Sequence, residues 1–227
     1  MKRFCKCPLP DTRERLLQAA LQAFGRRDYD GVSIRQVAVA AGANIAAISY
    51  HFGGKRELYH ATVAYLAERL RAVLAEQFQA VEQAIHEGDP QACEKQLCRL
   101  LERFLEQILS SELGDSAPGI IFREQHQPSA AFDILYAKLL EPIHQLLTSL
   151  VARCRGWQLD DRRAIILAQA LIGQTVIFRL GRTTLLRRLN QAEYSAADIK
   201  RLKAQLSDHC RLLLGANTID SWTENTP

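Results

Sequence analysis

Apolar residues recur at intervals of three and four along most of the chain, the spacing of amphipathic helices. Leu16, Leu17, Ala20, Leu21 and Phe24 form a first stripe, and Thr12 ahead of them predicts an N-capped helix over 12–24. Residues 25–31 read as a polar loop, and Ser33 caps a short helix over 34–40. Gly42 is suited to the left-handed turn that ends this helix, and Asn44 caps the next. Val37, Ala38 and Ala41 face Ile45 and Ile48 across that turn, so the two helices share a small core. Gly53-Gly54 makes a turn and Lys55 opens a long helix, with Leu58, Val63, Leu66, Leu70, Val73 and Leu74 leading toward Ile85. Gly88-Asp89-Pro90 breaks it. A helix over 91–109 turns Leu97, Leu100, Leu101, Phe104, Leu105 and Ile108 inward.

A loop over 114–119 and a short helix over 120–124 follow. Ser129 then caps a helix that runs to about Arg155, with a kink at Pro142. The run 164–178 is apolar except at Gln169, Gln174 and Thr175. It is shorter than the ~20 residues of a bilayer span, which predicts a helix buried on all sides. Ala168, Ala170 and Gly173 would let another helix approach it closely. The final helix, 196–214, carries Ile199, Leu202, Leu206, His209 and Leu213 at near-heptad spacing, a seam for helix pairing. The fold class is all-α. Residues 1–10 read as a flexible basic arm and 216–227 as a loose tail.

Charge placement sharpens this outline. Ten basic and five acidic residues stand before residue 60, and the other nineteen and twenty nearly cancel. The excess of positive charge therefore lies in the N-terminal quarter, where a polyanion would bind. No hydrophobic signal segment precedes the first helix, so the six cysteines should be reduced thiols in the cytoplasm. Cys5 and Cys7 lack a second pair at zinc spacing, and Cys93 and Cys98, five apart, fall on different helical faces. No metal or cofactor is expected. The six histidines are scattered, and no Gly-x-Ser-x-Gly elbow, His-Glu-x-x-His or dinucleotide fingerprint occurs, which argues against an enzyme. Gly53-Gly54-Lys55 lacks the upstream glycine and following hydroxyl of a P-loop.

The turn at Gly42 is the centre of the chemistry. The helix after it shows solvent Ala46, Ala47, Ser49, Tyr50 and His51, side chains that suit a helix in a DNA major groove. The block 11–59 resembles the DNA-binding domain of the TetR family of transcriptional regulators. The matching pieces are Arg15 to Ala20, Phe24, Gly31 to Ala38, Ala41-Gly42, Ile48 to Phe52 and Lys55 to Tyr59, in order and spacing. The C-terminal part resembles the CecR/CerR branch of that family through Arg123-Glu124, Pro128-Ser129, Leu140-Glu141-Pro142, Ile172-Gly173-Gln174, Phe178-Arg179 and Leu185 to Leu189.

The resemblance implies a three-helix helix-turn-helix domain over 11–59 and a ligand-binding and dimerisation domain over 60–215. It implies a homodimer on a palindromic double-stranded operator, most simply a repressor released by a small molecule, with efflux or drug-tolerance genes as targets. Tyr50, His51 and Lys55 match positions that hold phosphates in the family. Ser33 and Arg35 lie near the expected DNA backbone, and Asn44, Ala46, Ala47 and Ser49 complete the DNA-facing set. Ala168, Gly173, Ile177, Leu202, Leu206 and Leu213 are the expected dimer seam. Phe104, Ile108, Phe122, Tyr136, Leu140 and Phe178 are candidate walls of an effector pocket, with Arg123, His126 and Gln174 as its polar groups. Two other readings stay open. One is a helical small-molecule-binding protein without DNA function, and the other a regulator controlled by a protein partner. The expected site is cytoplasmic, with no membrane partner.

Overall fold

A computed structural model describes residues 11–109 and 116–215; the expected basic arm and tail lie outside them. The described residues form eleven α-helices and one five-residue π turn, without strands. Helix α1 is Thr12–Arg26. Its cap is Asp11, one residue ahead of the expected Thr12, and the carboxylate accepts from the Glu14 N–H at 2.7 Å. Helices α2, Ile34–Ala40, and α3, Ala46–Phe52, flank the turn. Gly42 takes φ of +60°, a conformation that costs a side-chain-bearing residue energy. The Asn44 carboxamide oxygen accepts from the Ala46 N–H at 2.9 Å and starts α3. Ser33 precedes α2 as expected, but its hydroxyl makes no capping bond.

Helix α4, Lys55–Glu87, runs unbroken for 33 residues to Gly88. The Asp89 carboxylate accepts from Gln91 and Ala92 N–H groups, both at 3.1 Å, and opens α5, Pro90–Leu109. Helix α6, Ser116–His126, begins inside the stretch expected to be a loop. Then come α7, Ala130–Leu135, capped by the Ser129 hydroxyl, the π turn Tyr136–Leu140 and α8, Glu141–Arg155. The irregularity expected at Pro142 is thus a wide turn just upstream, where the missing proline N–H and the bulk of its ring disturb the ladder. Helices α9, Arg162–Leu180, α10, Arg182–Leu189, and α11, Ala196–Gly215, complete the chain. The sequence pattern had not marked α10.

Packing divides the chain into two compact units. The first holds described residues 11–70 and 116–139, the second 71–109 and 140–215. The expected boundary at residue 59 therefore misses a feature of the first unit: α6 and α7 belong with the helix-turn-helix. Leu16, Phe24, Val37, Ile48, Leu58, Leu66, Ile120 and Leu135 are fully buried there. Helices α1 and α6 cross backbone to backbone at Gly25 and Gly119, where an added methyl on either residue would overlap the other helix.

The second unit is a bundle of α5, α8, α9 and α11 with the C-terminal half of α4. Leu97, Leu101 and Leu105 from α5 pack with Leu147, Leu150 and Val151 from α8, Leu171 from α9 and Leu206 from α11. Cys93, Cys98 and Cys210 are buried thiols in this core. The chain does not bury α9 on all sides. Ala164, Leu167, Ala168, Leu171 and Thr175 face inward, whereas Ile165, Ile166, Ile177 and Leu180 are exposed. At 19 residues, α9 is longer than the run read from the sequence, and by length and composition alone it would be apolar enough to cross a membrane, a property that core helices share.

Candidate DNA interface and effector domain

Helix α3 is anchored by two residues one turn apart, Ile48 and Phe52, both buried. Its opposite side carries a ridge of Ala46 with Tyr50, and a second ridge, Ile45 with Ser49, runs between that side and the buried one. All four are exposed, Tyr50 at 85 %. Ala47 and His51 are half-buried at the flank, and the His51 ring meets Tyr50 edge-on at 4.9 Å. Ser33, Arg35 and Asn44 are exposed as well. Ile45 departs from the expected pattern: Ile48 is fully buried, but Ile45 is 44 % exposed. The three-residue spacing suggested a shared face, but Ile45 precedes the first residue of α3.

Lys55 sits one turn beyond α3, at the start of α4. Its ammonium donates to the Asp30 carbonyl at 3.4 Å and lies 4.5 Å from the centre of the Tyr29 ring. These contacts hold a cation beside the outward end of α3 without neutralising it. Tyr29 in turn stacks within an aromatic cluster with Phe24 and Tyr59.

Tyr59 links this cluster to α6. Its hydroxyl donates to the buried Glu124 carboxylate at 2.6 Å, and burial, then this bond, raises the phenol above its ordinary pKa. The other Glu124 oxygen accepts from the Ser129 N–H at 3.1 Å and the Ser129 hydroxyl at 2.9 Å. Arg123 reaches the opposite way. Its guanidinium donates to the Phe24 and Arg27 carbonyls at 2.9 and 2.8 Å and pairs with Asp28 at 3.5 Å. Those carbonyls end α1, where the helix dipole favours a cation. Arg123 and His126 were expected among the polar groups of a pocket; Arg123 instead clamps α1 and His126 is exposed, while Glu124 between them gathers hydroxyls.

The candidate pocket residues are divided between the units. Phe122, Arg123, His126 and Tyr136 belong to the first and Phe104, Ile108, Leu140, Gln174 and Phe178 to the second. Ile108 and Phe178 pack against the core of the bundle, while Tyr136 is exposed and stacks on Phe132. The Gln174 carboxamide oxygen is buried without a hydrogen-bond partner. A cleft of about 530 Å³ opens between the C-terminal half of α4 and α8, lined by Phe78, Ile85, His86, Pro142, Leu146 and Arg153. No residue of the expected pocket lines it.

The candidate seam residues divide too. Gly173 and Ile177 lie on the exposed face of α9, and Leu202 and Leu213 are half-buried on α11. Ala168 and Leu206, at 0 % and 2 % exposure, point into the protomer's own core and so cannot form a seam surface. A side chain at Gly173 would meet nothing within 4 Å in the protomer.

Comparison with known proteins agrees with this arrangement. The family described as bacterial regulatory proteins of the tetR family matches residues 16–62. The C-terminal domain of the HTH-type transcriptional dual regulator CecR matches residues 93–217. The CecR regulator of Shigella flexneri is 30 % identical over 203 residues, covering 89 % of this chain and 91 % of that protein. A transcriptional regulator structure from Pseudomonas aeruginosa PAO1 superposes with a TM-score of 0.66 at 18 % identity, over 93 % of each chain. A TetR-like regulator from Rhodococcus sp. RHA1 gives 0.64 at 19 % identity, over 92 % of this chain and all of that one. These last two share the fold. With a helix-turn-helix built around Gly42 and a CecR-type helical domain behind it, the chain belongs to the TetR family of transcriptional regulators, which are not enzymes.

Proposed function

We propose that the chain is a cytoplasmic, homodimeric repressor whose two α3 helices enter successive major grooves of a palindromic operator. The observation that carries this reading is the exposed double ridge of α3 with Lys55 held at its end. Tyr50, His51 and Lys55 hold phosphates, with Ser33 and Arg35 beside them; Asn44, Ala46, Ala47 and Ser49 face the bases. The apolar strip of α9 around Gly173 and Ile177, with α11, supports a two-fold four-helix interface.

The effector is a mainly apolar molecule with a polar handle, bound in the second unit. The unpaired Gln174 oxygen supports a donor arriving from that molecule or from the partner protomer, since a buried acceptor left unmade costs about 1–3 kcal/mol. Release requires tighter binding of the effector to the conformation that does not fit DNA. The Shigella relative is named a dual regulator, so the sign of regulation is measured along with binding.

The test is a gel shift with DNA flanking the chain's own gene, titrated with salt. Specific retention is expected. Lys55→Ala should weaken all sequences alike and lower the salt slope by about one counterion. An unchanged slope removes Lys55 from the interface, and no retention of any flanking DNA points to the helical binder without DNA function.

A further inference from the structure

We propose that this regulator recognises its operator through thymine 5-methyl groups, with Ile45 as the specificity-determining side chain. The inference rests on the reading of α3 as the groove helix and names the chemistry that this helix selects. Ile45 is the observation behind it. A β-branched side chain at the head of the reading helix is 44 % exposed, although Ile48, three residues on, is fully buried. Ile45 therefore leaves nearly half of its surface to solvent. Ala46 follows it and is also exposed, so the tip of α3 presents two adjoining apolar side chains.

The floor of the major groove offers hydrogen-bond donors and acceptors at every base pair, and one apolar group, the thymine methyl. An isoleucine pressed against a guanine or adenine edge would strip water from polar atoms and return nothing, which is unfavourable. Against a thymine methyl it buries apolar surface on both sides. The polar side chains nearby are partly spent inside the protein. Asn44 uses its carboxamide oxygen to accept from Ala46, and the Gln36 carboxamide accepts from Arg27 at 3.4 Å. Hydrogen-bonded reading falls to Ser49 and the Asn44 amide NH2 group, and discrimination at the Ile45 position falls to the methyl.

Uracil is thymine without that methyl, so it isolates the contact. The full-length protein is used to select from a random duplex library. The enriched duplex is then resynthesised with each thymine replaced in turn by uracil. At one symmetry-related thymine per half-site, uracil should weaken binding about four-fold, and about fifteen-fold when both are replaced. In Ile45→Ala the thymine and uracil duplexes should bind alike, and in Ile45→Val most of the difference should return. Ile45→Gln should move the preference at that base pair from thymine toward adenine, the base a carboxamide pairs with. A thermal melt and low-salt binding to unselected DNA are read on each variant, so that a folding defect, which weakens thymine and uracil duplexes alike, is told apart from a change of base preference. Enrichment of a sequence that tolerates uracil everywhere overturns this inference and leaves DNA reading by α3 intact. So does an equal uracil effect in wild type and Ile45→Ala. Failure to enrich any sequence overturns both.

Discussion

Tyr59 shows how one side chain serves two neighbours at once. Its ring completes the aromatic cluster with Phe24 and Tyr29, and its hydroxyl supplies a donor to the buried Glu124 carboxylate. Tyr59→Phe keeps the ring and removes the donor. Near neutral pH it should destabilise the protein by about 1.5–3 kcal/mol, the range for a hydrogen bond to a charged group. The dependence on pH has a defined sign. The folded phenol lies above its ordinary value of 10, so the folded state keeps its proton where the unfolded state begins to release it. The contribution is complete below about pH 10 and is lost as pH rises beyond it. Urea unfolding of wild type and Tyr59→Phe at pH 7 and pH 10.5 measures this. The gap between the two should shrink at the higher pH, and a constant gap would contradict the account.

At the scale of elements, the contact that matters most in the first unit is α1 against α6. Two glycines, Gly25 and Gly119, bring the backbones together, Arg123 clamps the end of α1, and Glu124 ties α6 to Tyr59 on α4. Gly119→Ala would place a methyl on the Gly25 carbonyl oxygen, a backbone atom that cannot swing away. The helices must separate, at a cost of roughly 2–3 kcal/mol or more. A calorimetric melt should show the loss, and operator affinity should change with it, because α1 packs against both helices of the turn. A variant with wild-type stability would mean that the crossing is looser than described. Sequence reading placed only residues 120–124 of α6 in a helix and left its first turn as loop, for a physical reason. A glycine in a short apolar stretch reads as a loop former, and only a tertiary neighbour makes the absence of a side chain useful in a helix.

At the scale of the molecule, the proposed two-fold assembly rests on α9. One side of it serves the bundle core, and the exposed Ile165, Ile166, Ile177 and Leu180 need another apolar partner. Gly173 tests the two-fold seam well, because a side chain there is unopposed in the protomer. Gly173→Leu should leave the helical content of the protomer unchanged, shift sedimentation at micromolar concentration from dimer to monomer, and lower operator affinity. A leucine variant that remains dimeric would move the seam away from this part of α9.

Much of the protein was determined locally and was therefore legible in the order of its residues. Helical periodicity, Gly42 at its positive φ, Asn44 at the head of α3 and the stop at Gly88 depend on near neighbours in the chain. The outward set Ala46, Ser49 and Tyr50 follows from the same spacing. The tertiary structure decided what those rules leave open, namely which polar and apolar groups are already occupied. Arg123 read as a possible ligand group until the end of α1 came within reach. Ala168 and Leu206 read as seam residues until the bundle enclosed them, and Ile45 read as core until Ile48 alone proved buried. Periodicity states that a helix has an apolar side; only the distant segments packed on it determine which residues of that side remain exposed.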